Sequence, residues 1–222
     1  MTHDDGAVRR VEGVTGRFAL TFDDGPDPVF TPQVLDTLAR HDARATCFML
    51  RPSVLAHRAL ARRVLEGGHE IGNHGDLHLP PLLIPRALLA RELERGERAI
   101  VEATGVTPCF FRPAFGVIRR SQTGWLFWSR GYHTVTGDVY PADPDRPGVD
   151  VITRRVTERL GAGSILILHD GCAWVRMDRS QTVAALDRIL TWAGERGLRG
   201  VTVGELMAAE KPAVGCRGCL RE

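Results

Sequence analysis

The chain has 222 residues, 43% of them hydrophobic, which is enough to bury the core of one α/β domain. Its formal net charge of +2 gives no sign of the strongly basic surface that binds nucleic acid. The polar N-terminus carries no secretory signal, and no later run is apolar over the length of a membrane helix. With the odd number of cysteines, five, these features predict a cytoplasmic protein without nucleic-acid or membrane partners.

Short apolar runs alternate along the chain with longer segments of helical period. The predicted strands are Arg17–Phe22, Arg44–Leu50, Glu70–Asn73, Cys109–Arg112, Tyr132–Thr136, Ser164–Leu168 and Arg199–Val203. The predicted helices are Thr31–His41, Ser53–Glu66, Arg86–Thr104, Ser121–Arg130, Asp150–Leu160 and Gln181–Glu195. Parallel strands need crossover connections, so this alternation predicts a parallel sheet, either open and doubly wound or closed as a barrel.

Titratable side chains follow five of the predicted strands. They are Asp23 and Asp24 after the first strand, His74 and His78 after the third, Arg112 at the end of the fourth, Asp138 after the fifth, and His169 and Asp170 after the sixth. In a barrel the carboxyl ends of all strands meet at one rim. An open sheet would gather only the residues near its switch point. A site that draws on five strands therefore favours a closed barrel.

His74 and His78 lie four residues apart in one loop, a spacing found in many zinc sites. With Asp24 on the same rim they form a set of two histidines and one carboxylate, which leaves coordination positions open for water and substrate. Asp24-Gly25 would also suit a turn in which the carboxylate caps backbone amides. We predict one divalent metal, zinc by default, although cobalt, nickel or manganese suits the same donors.

The remaining polar residues of this rim suggest an acid and an ion pair. His169 ends the most apolar strand, where it would be either a core histidine or a general acid. Asp138 on the neighbouring strand end would hold one ring nitrogen of His169 and raise its pKa. Arg112 would either orient Asp23 or form a surface salt bridge of little energetic value.

Five motifs, in this order, resemble those of the polysaccharide deacetylases, the family-four carbohydrate esterases. They are Thr21-Phe22-Asp23-Asp24-Gly25-Pro26, His74-x-x-x-His78, Phe111-Arg112-Pro113-Ala114-Phe115-Gly116, Asp138-Val139 and Ile165-Leu166-Ile167-Leu168-His169-Asp170. The resemblance covers about residues 17–209, which we take as one catalytic domain between an N-terminal tail, 1–16, and a C-terminal tail, 210–222. It implies a distorted (β/α) barrel of about seven parallel strands.

The resemblance also implies a role for each residue of the site. The metal ligands would be Asp24, His74 and His78. Asp23 would be the general base, held by Arg112, and His169 would be the general acid, tuned by Asp138. The backbone N–H of Phe115 would bind the oxyanion, and Ile167 would pack against the acetyl methyl group. Gly75 stands where the family usually has a hydroxyl residue that steadies the histidine loop, so either metal affinity would be lower or Asp76 would compensate. The run Val139–Pro144 departs from the family's acidic residue and Trp, so we expect a different sugar cleft.

These roles predict a metal-dependent hydrolase that removes an N-acetyl group from an acetamido sugar, on a soluble or small intracellular glycoside. The alternatives are an O-acetyl esterase, a sugar deformylase, and an inactive carbohydrate-binding module of the same fold. The sequence does not indicate an oligomeric state, and we expect no function for Cys216 and Cys219 in the C-terminal tail.

Overall fold

The computed structural model describes residues 6–172, 175 and 177–210. The strands are β1 (Arg17–Asp23), β2 (Thr46–Met49), β3 (Glu70–Asn73), β4 (Phe110–Phe111), β5 (His133–Thr134), β6 (Ile165–His169) and β7 (Arg199–Val201). The helices are α1 (Phe30–Arg40), α2 (Arg51–Ala56), α3 (Arg58–Glu66), α4 (Arg86–Thr104), α5 (Arg120–Arg130), α6 (Val149–Thr157), α7 (Ser180–Gly194) and α8 (Val203–Ala208). Cys216 and Cys219 lie outside the described residues.

The seven strands form one curled parallel sheet in the order β5-β4-β3-β2-β1-β6, with β7 paired to the first half of β1. This confirms the distorted barrel predicted from the sequence. None of the described helices combines the length and the apolar composition needed to cross a membrane.

The seam between β5 and β6 is closed by irregular segments rather than by a long strand pair. Val139 bridges Leu166 directly, while Val8 bridges Val135 and Arg10 bridges Ser164. Val8 is almost completely buried. The segment 7–10 is therefore part of the barrel wall, which corrects the sequence-based boundary at residue 17.

Two elements differ from the sequence-based expectation. The single helix expected over Ser53–Glu66 is broken at His57, whose N–H closes α2 on the Ser53 carbonyl and whose carbonyl accepts the N–H of Leu60 at the start of α3. The strand expected to end at Val203 gives way to α8, because Thr202 and Glu205 form a reciprocal capping box.

Alternation along the strands decides which side chains enter the barrel. Leu20 and Phe22 of β1 pack in the layer between sheet and helices, so the intervening Ala19, Thr21 and Asp23 face the interior. The same alternation in β6 buries Leu166 and Leu168 under the helices. Ile167 and His169 therefore point into the barrel, and His169 lies beside Asp23 in the strand register.

Candidate metal and catalytic site

Asp23 and Arg112 form a buried ion pair at the carboxyl ends of β1 and β4. Arg112 Nη1 donates to Asp23 Oδ1 at 2.7 Å and to Thr21 Oγ1 at 2.6 Å, and Nε donates to the Val135 carbonyl at 3.2 Å. The guanidinium carbon lies 4.1 Å from the Phe48 ring centroid. Burial lowers the pKa of Arg112, and the neighbouring Asp23 carboxylate opposes that change. Because both side chains are almost inaccessible, the pair holds Asp23 in one orientation and is not a surface salt bridge.

Asp24, His74 and His78 converge at the same rim. Their nearest ligand atoms all lie within 4.8 Å of one another, and the Nε2 atoms of both histidines are 3.5 Å from Asp24 Oδ1. That separation is too long for a good hydrogen bond. Among the described residues nothing hydrogen-bonds to Oδ1, although it is buried. Two imidazole nitrogens thus approach a buried carboxylate oxygen without hydrogen-bonding to it. A cation bound by all three atoms would satisfy that oxygen, so the donor set fits a divalent metal.

The second ring nitrogen of His74 is already occupied. Nδ1 lies 2.8 Å from the Arg112 carbonyl oxygen, to which it donates as N–H, leaving the Nε2 lone pair directed towards Asp24. Arg112 thus contacts Asp23 through its side chain and His74 through its backbone carbonyl. Such outer contacts fix the tautomer and the ring plane of a ligating histidine.

The electrostatics of this trio suit a cation. Burial raises the pKa of Asp24, but contact with His74 and the nearby histidines lowers it overall, well below its usual range. Burial and the neighbouring His74 lower the pKa of His78 to about 4, so this ligand is neutral at neutral pH. Burial alone would lower the pKa of His74, but the Asp24 and Asp23 carboxylates raise it overall. A cation on Asp24 would oppose that protonation.

His169 is held by Asp143, not by Asp138. Its Nδ1 lies 3.0 Å from Asp143 Oδ1, and its backbone N–H donates to Oδ2 at 2.9 Å. Thr182 Oγ1 of α7 donates to the same Oδ2 at 2.8 Å. Burial lowers the pKa of His169, but the Asp143 carboxylate outweighs burial and raises it to about 9. The imidazole is therefore protonated at neutral pH, as a general acid requires.

Asp138 has a different partner because it lies at the seam. Its Oδ2 pairs with Arg10 Nη1 at 3.0 Å, and its Oδ1 accepts the N–H of Ile165 at 2.7 Å. The expected pairing of Asp138 with His169 is therefore wrong. A short 3₁₀ turn, Asp143–Asp145, brings the later carboxylate to the histidine instead.

A cavity of about 660 Å³ connects these groups. Its lining includes most of the residues singled out in the sequence, namely Asp23, Asp24, His78, Arg112, Phe115, Ile167 and His169. Phe115 adopts a left-handed backbone conformation (φ 59°), is 70% exposed, and places its ring 4.8 Å from that of His78. Ile167 lines the cavity beside Gly137. A Cβ atom added to Gly137 would lie 2.8 Å from the Ile167 side chain, so only glycine leaves room for Ile167 there. Tyr140, half-exposed, flanks His169 on the acid side.

The family model for polysaccharide deacetylase matches residues 11–126, just over half of the chain. The chain is 41% identical over 194 residues to a peptidoglycan-N-acetylglucosamine deacetylase of Bacillus cereus, and the match covers 85% of this chain and 87% of that protein. The chain belongs to the polysaccharide deacetylase family. It is also 35% identical over 193 residues to a chitooligosaccharide deacetylase of Sinorhizobium fredii, a match that covers 80% of this chain and 86% of that protein.

The solved structures support the same assignment. This polysaccharide deacetylase superposes on a peptidoglycan N-acetylglucosamine deacetylase, crystallised with an N-oxidanyl-benzamide, with a TM-score of 0.84 and 28% identity. The match covers 90% of this chain and 92% of that one. The fold and the carbohydrate deacetylase class predicted from the motifs are thus confirmed.

Sequence reasoning missed three residues of this polysaccharide deacetylase that contact the site from outside the motifs. Asp143 and Thr182 support His169, and Glu92 of α4 contacts the histidine loop. The pair Asp143-Pro144 could have indicated a tight turn near the rim. For Thr182 and Glu92 the sequence offers no local signal, because each lies within an ordinary amphipathic helix.

Proposed function

We propose that this chain is a metal-dependent deacetylase that hydrolyses the acetamide of an N-acetylated amino sugar. The observation that carries the proposal is the placement of a carboxylate and a protonated imidazole in one cavity beside the convergent Asp24, His74 and His78. Asp23 and His169 are neighbours in the register of β1 and β6 and line one cavity. A base and an acid flanking a cation site are the groups that amide hydrolysis needs.

Asp24, His74 and His78 would hold the metal. When bound, a divalent ion lowers the pKa of water and polarises the amide carbonyl. Asp23 would accept the proton of the attacking water, since Arg112 holds its carboxylate in one orientation and both residues line the cavity. The backbone N–H of Phe115 would bind the oxyanion, and Ile167 would contact the acetyl methyl group.

His169 would complete the reaction as the general acid. The C–N bond breaks only when the leaving amine receives a proton, and an imidazolium held by Asp143 can donate one from Nε2. After the cycle, acetate and a free amino sugar leave the cavity. Water gives one proton to Asp23 and its OH group to the acyl carbon, and His169 gives one proton to the nitrogen as the C–N bond breaks. Acetic acid loses its proton to solvent as acetate, and exchange with solvent deprotonates Asp23 and reprotonates His169 for the next cycle.

For the substrate we propose an N-acetylglucosamine unit on a soluble or small glycoside. The named relatives act on peptidoglycan and on chitooligosaccharides, and both are carbohydrates that contain N-acetylglucosamine. The exposed rings of Phe115 and Tyr140 at the cavity mouth suit the faces of a sugar. Zinc is the proposed metal, and cobalt, nickel or manganese would suit the same ligands.

The test is acetate release from chitooligosaccharides by the metal-loaded protein. Asp23→Asn should lower turnover by about 10²- to 10⁴-fold, because the base is lost, while metal content stays unchanged. Asp145→Asn is the matched control, since Asp145 is an exposed carboxylate on the same cavity and lies outside the proposed machinery.

Each alternative gives a different result in the same assay. Turnover of acetylated xylan alone would identify an O-acetyl esterase, and turnover of N-formyl sugars alone a deformylase. Binding of chitooligosaccharides without any release of acyl groups would identify a carbohydrate-binding module.

A further inference from the structure

The loop that carries both histidine ligands has little support of its own. Gly75, at its centre, contributes no side chain and adopts φ +96°, a conformation that other residues rarely take. His78 itself has φ 53°, in the left-handed region that is unfavourable for a residue with a Cβ atom. A loop with this backbone needs contacts from outside to keep both imidazoles in place.

Asp76 supplies such contacts only through its side chain. Its carboxylate is buried, and its two oxygens bind Arg51 Nη1 at 3.0 Å and Arg95 Nη1 at 3.1 Å. The side chain thus points away from the loop backbone and ties the loop to α2 and α4 through ion pairs. That Asp76 compensates for the missing hydroxyl stays a prediction, and its side chain leaves the N–H groups of the loop to another partner.

Glu92 of α4 bonds to the loop backbone instead. Its Oε2 accepts the N–H of Leu77 at 2.7 Å and the N–H of Asp76 at 3.2 Å. The residue is 4% exposed. One oxygen of Glu92 thus accepts two consecutive N–H groups of the loop and ties both to α4. Glu92 therefore holds the peptide units Gly75–Asp76 and Asp76–Leu77, which lie between the two histidines.

The start of the loop is fixed separately. Asn73 Oδ1 accepts the N–H of Gly75 at 2.8 Å, and Asn73 Nδ2 donates to the Leu93 carbonyl and to the Tyr132 hydroxyl. The Asn73 contacts therefore hold the His74 end, while Glu92 holds the His78 end. The two ends can be perturbed one at a time.

We infer that Glu92 is a positioning residue that keeps His78 in the metal-binding conformation. It touches neither substrate nor the reacting atoms, so its effect passes through the backbone of Asp76 and Leu77. The inference rests on the proposed metal-dependent function. The hydrogen bonds from the loop to Glu92 do not depend on a metal, so they should hold the loop in the metal-free protein as well.

The experiment compares three variants. Glu92→Leu keeps the approximate volume and removes the acceptor, while Glu92→Gln keeps one acceptor oxygen and removes the charge. Glu94→Leu is the control, because Glu94 lies on the same helix, is half-exposed and pairs only at the surface with Arg130. Two quantities are measured, namely amide hydrogen exchange at residues 76 and 77 in the metal-free protein, and the Kd for Zn²⁺ by competition with a chelator.

Glu92→Leu should accelerate exchange at both amides and weaken Zn²⁺ binding by about 10- to 100-fold, as the loss of supporting contacts does in metal sites. Glu92→Gln should change both measurements in the same direction as Glu92→Leu but by less, and its difference from wild type decides the matter if the leucine variant does not fold. Unchanged exchange, or unchanged Zn²⁺ affinity, in a folded Glu92 variant would overturn the inference. A wild-type protein that binds no metal would instead count against the proposed function, while the exchange data still decide whether Glu92 anchors the loop.

Discussion

Asp23 and His169 are neighbours in the sheet, yet their side chains are held in different ways. On the base side every contact comes from a strand or its end, since Arg112 and Thr21 both belong to the barrel wall. On the acid side the partner of His169 comes from a 3₁₀ turn inside a long loop, supported by Thr182 of a helix. The proposed base is therefore held by contacts from the sheet, whereas the position of the proposed acid depends on how one loop packs against α7.

The largest expected effect tests the rigidity of the base side. Arg112→Met should lower the free energy of unfolding at neutral pH by about 3–5 kcal/mol, because it leaves the buried Asp23 carboxylate without a counter-charge. Acetate release should also be lost. Urea denaturation and the deacetylation assay measure the two effects.

Arg188→Met provides the control for this substitution. Arg188 pairs with Asp150 at the surface, so its loss should change the unfolding free energy by less than about 1 kcal/mol. Equal losses of unfolding free energy in the two variants would show that the buried Arg112–Asp23 pair stabilises the fold no more than the surface pair does. The double variant Asp23→Asn/Arg112→Met should regain part of the stability, since no buried charge is then left unpaired.

An intermediate effect is expected on the acid side. Asp143→Asn can keep the hydrogen bond from Thr182 but removes the charge that raises the pKa of His169 to about 9. The alkaline limb of the pH profile should therefore move to lower pH, with activity at acidic pH affected less. A profile of kcat/KM from pH 5 to 10 measures this shift, and an unmoved alkaline limb would contradict the assignment of His169 as the acid.

The same substitution has a signature in stability. The folded-state pKa of His169 lies above its ordinary value of 6.5, so the pair with Asp143 stabilises the fold fully below that value and ceases to do so as pH rises through about 9. The difference in unfolding free energy between wild type and Asp143→Asn should therefore be largest near pH 6. It should shrink as the pH rises from 6.5 through about 9.

The smallest effect is expected for Asp138→Asn. Asp138 pairs with Arg10 at the surface of the seam and not with His169, so the pH profile should stay unchanged. Stability should fall by less than about 1 kcal/mol. A shifted alkaline limb in this variant would restore Asp138 as the tuning residue and remove the contrast between the two sides.

Strand alternation in the sequence is enough to place Asp23 and His169 on the inner face of the sheet, whereas the metal trio is predicted from the spacing of the two histidines. Once Phe22 is recognised as buried, Asp23 must face the opposite side, and Arg112 and His169 follow from the same rule on other strands. Asp143 was missed because no periodicity determines the path of the loop Tyr140–Gly148. Glu92 was missed because a buried carboxylate on an amphipathic helix cannot be told from a solvated one until its partners are known.

The seam also has consequences for how the protein folds. Arg10 bonds to Ser164, a residue 154 positions further along the chain, so this part of the wall cannot close until most of the sequence is available. Long-range closure of this kind is slow because its loop entropy is lost before the contacts form. A variant that starts at residue 17 would keep all five motifs but lack the segment 7–10. It would therefore expose the apolar edge beside Val135 to other chains.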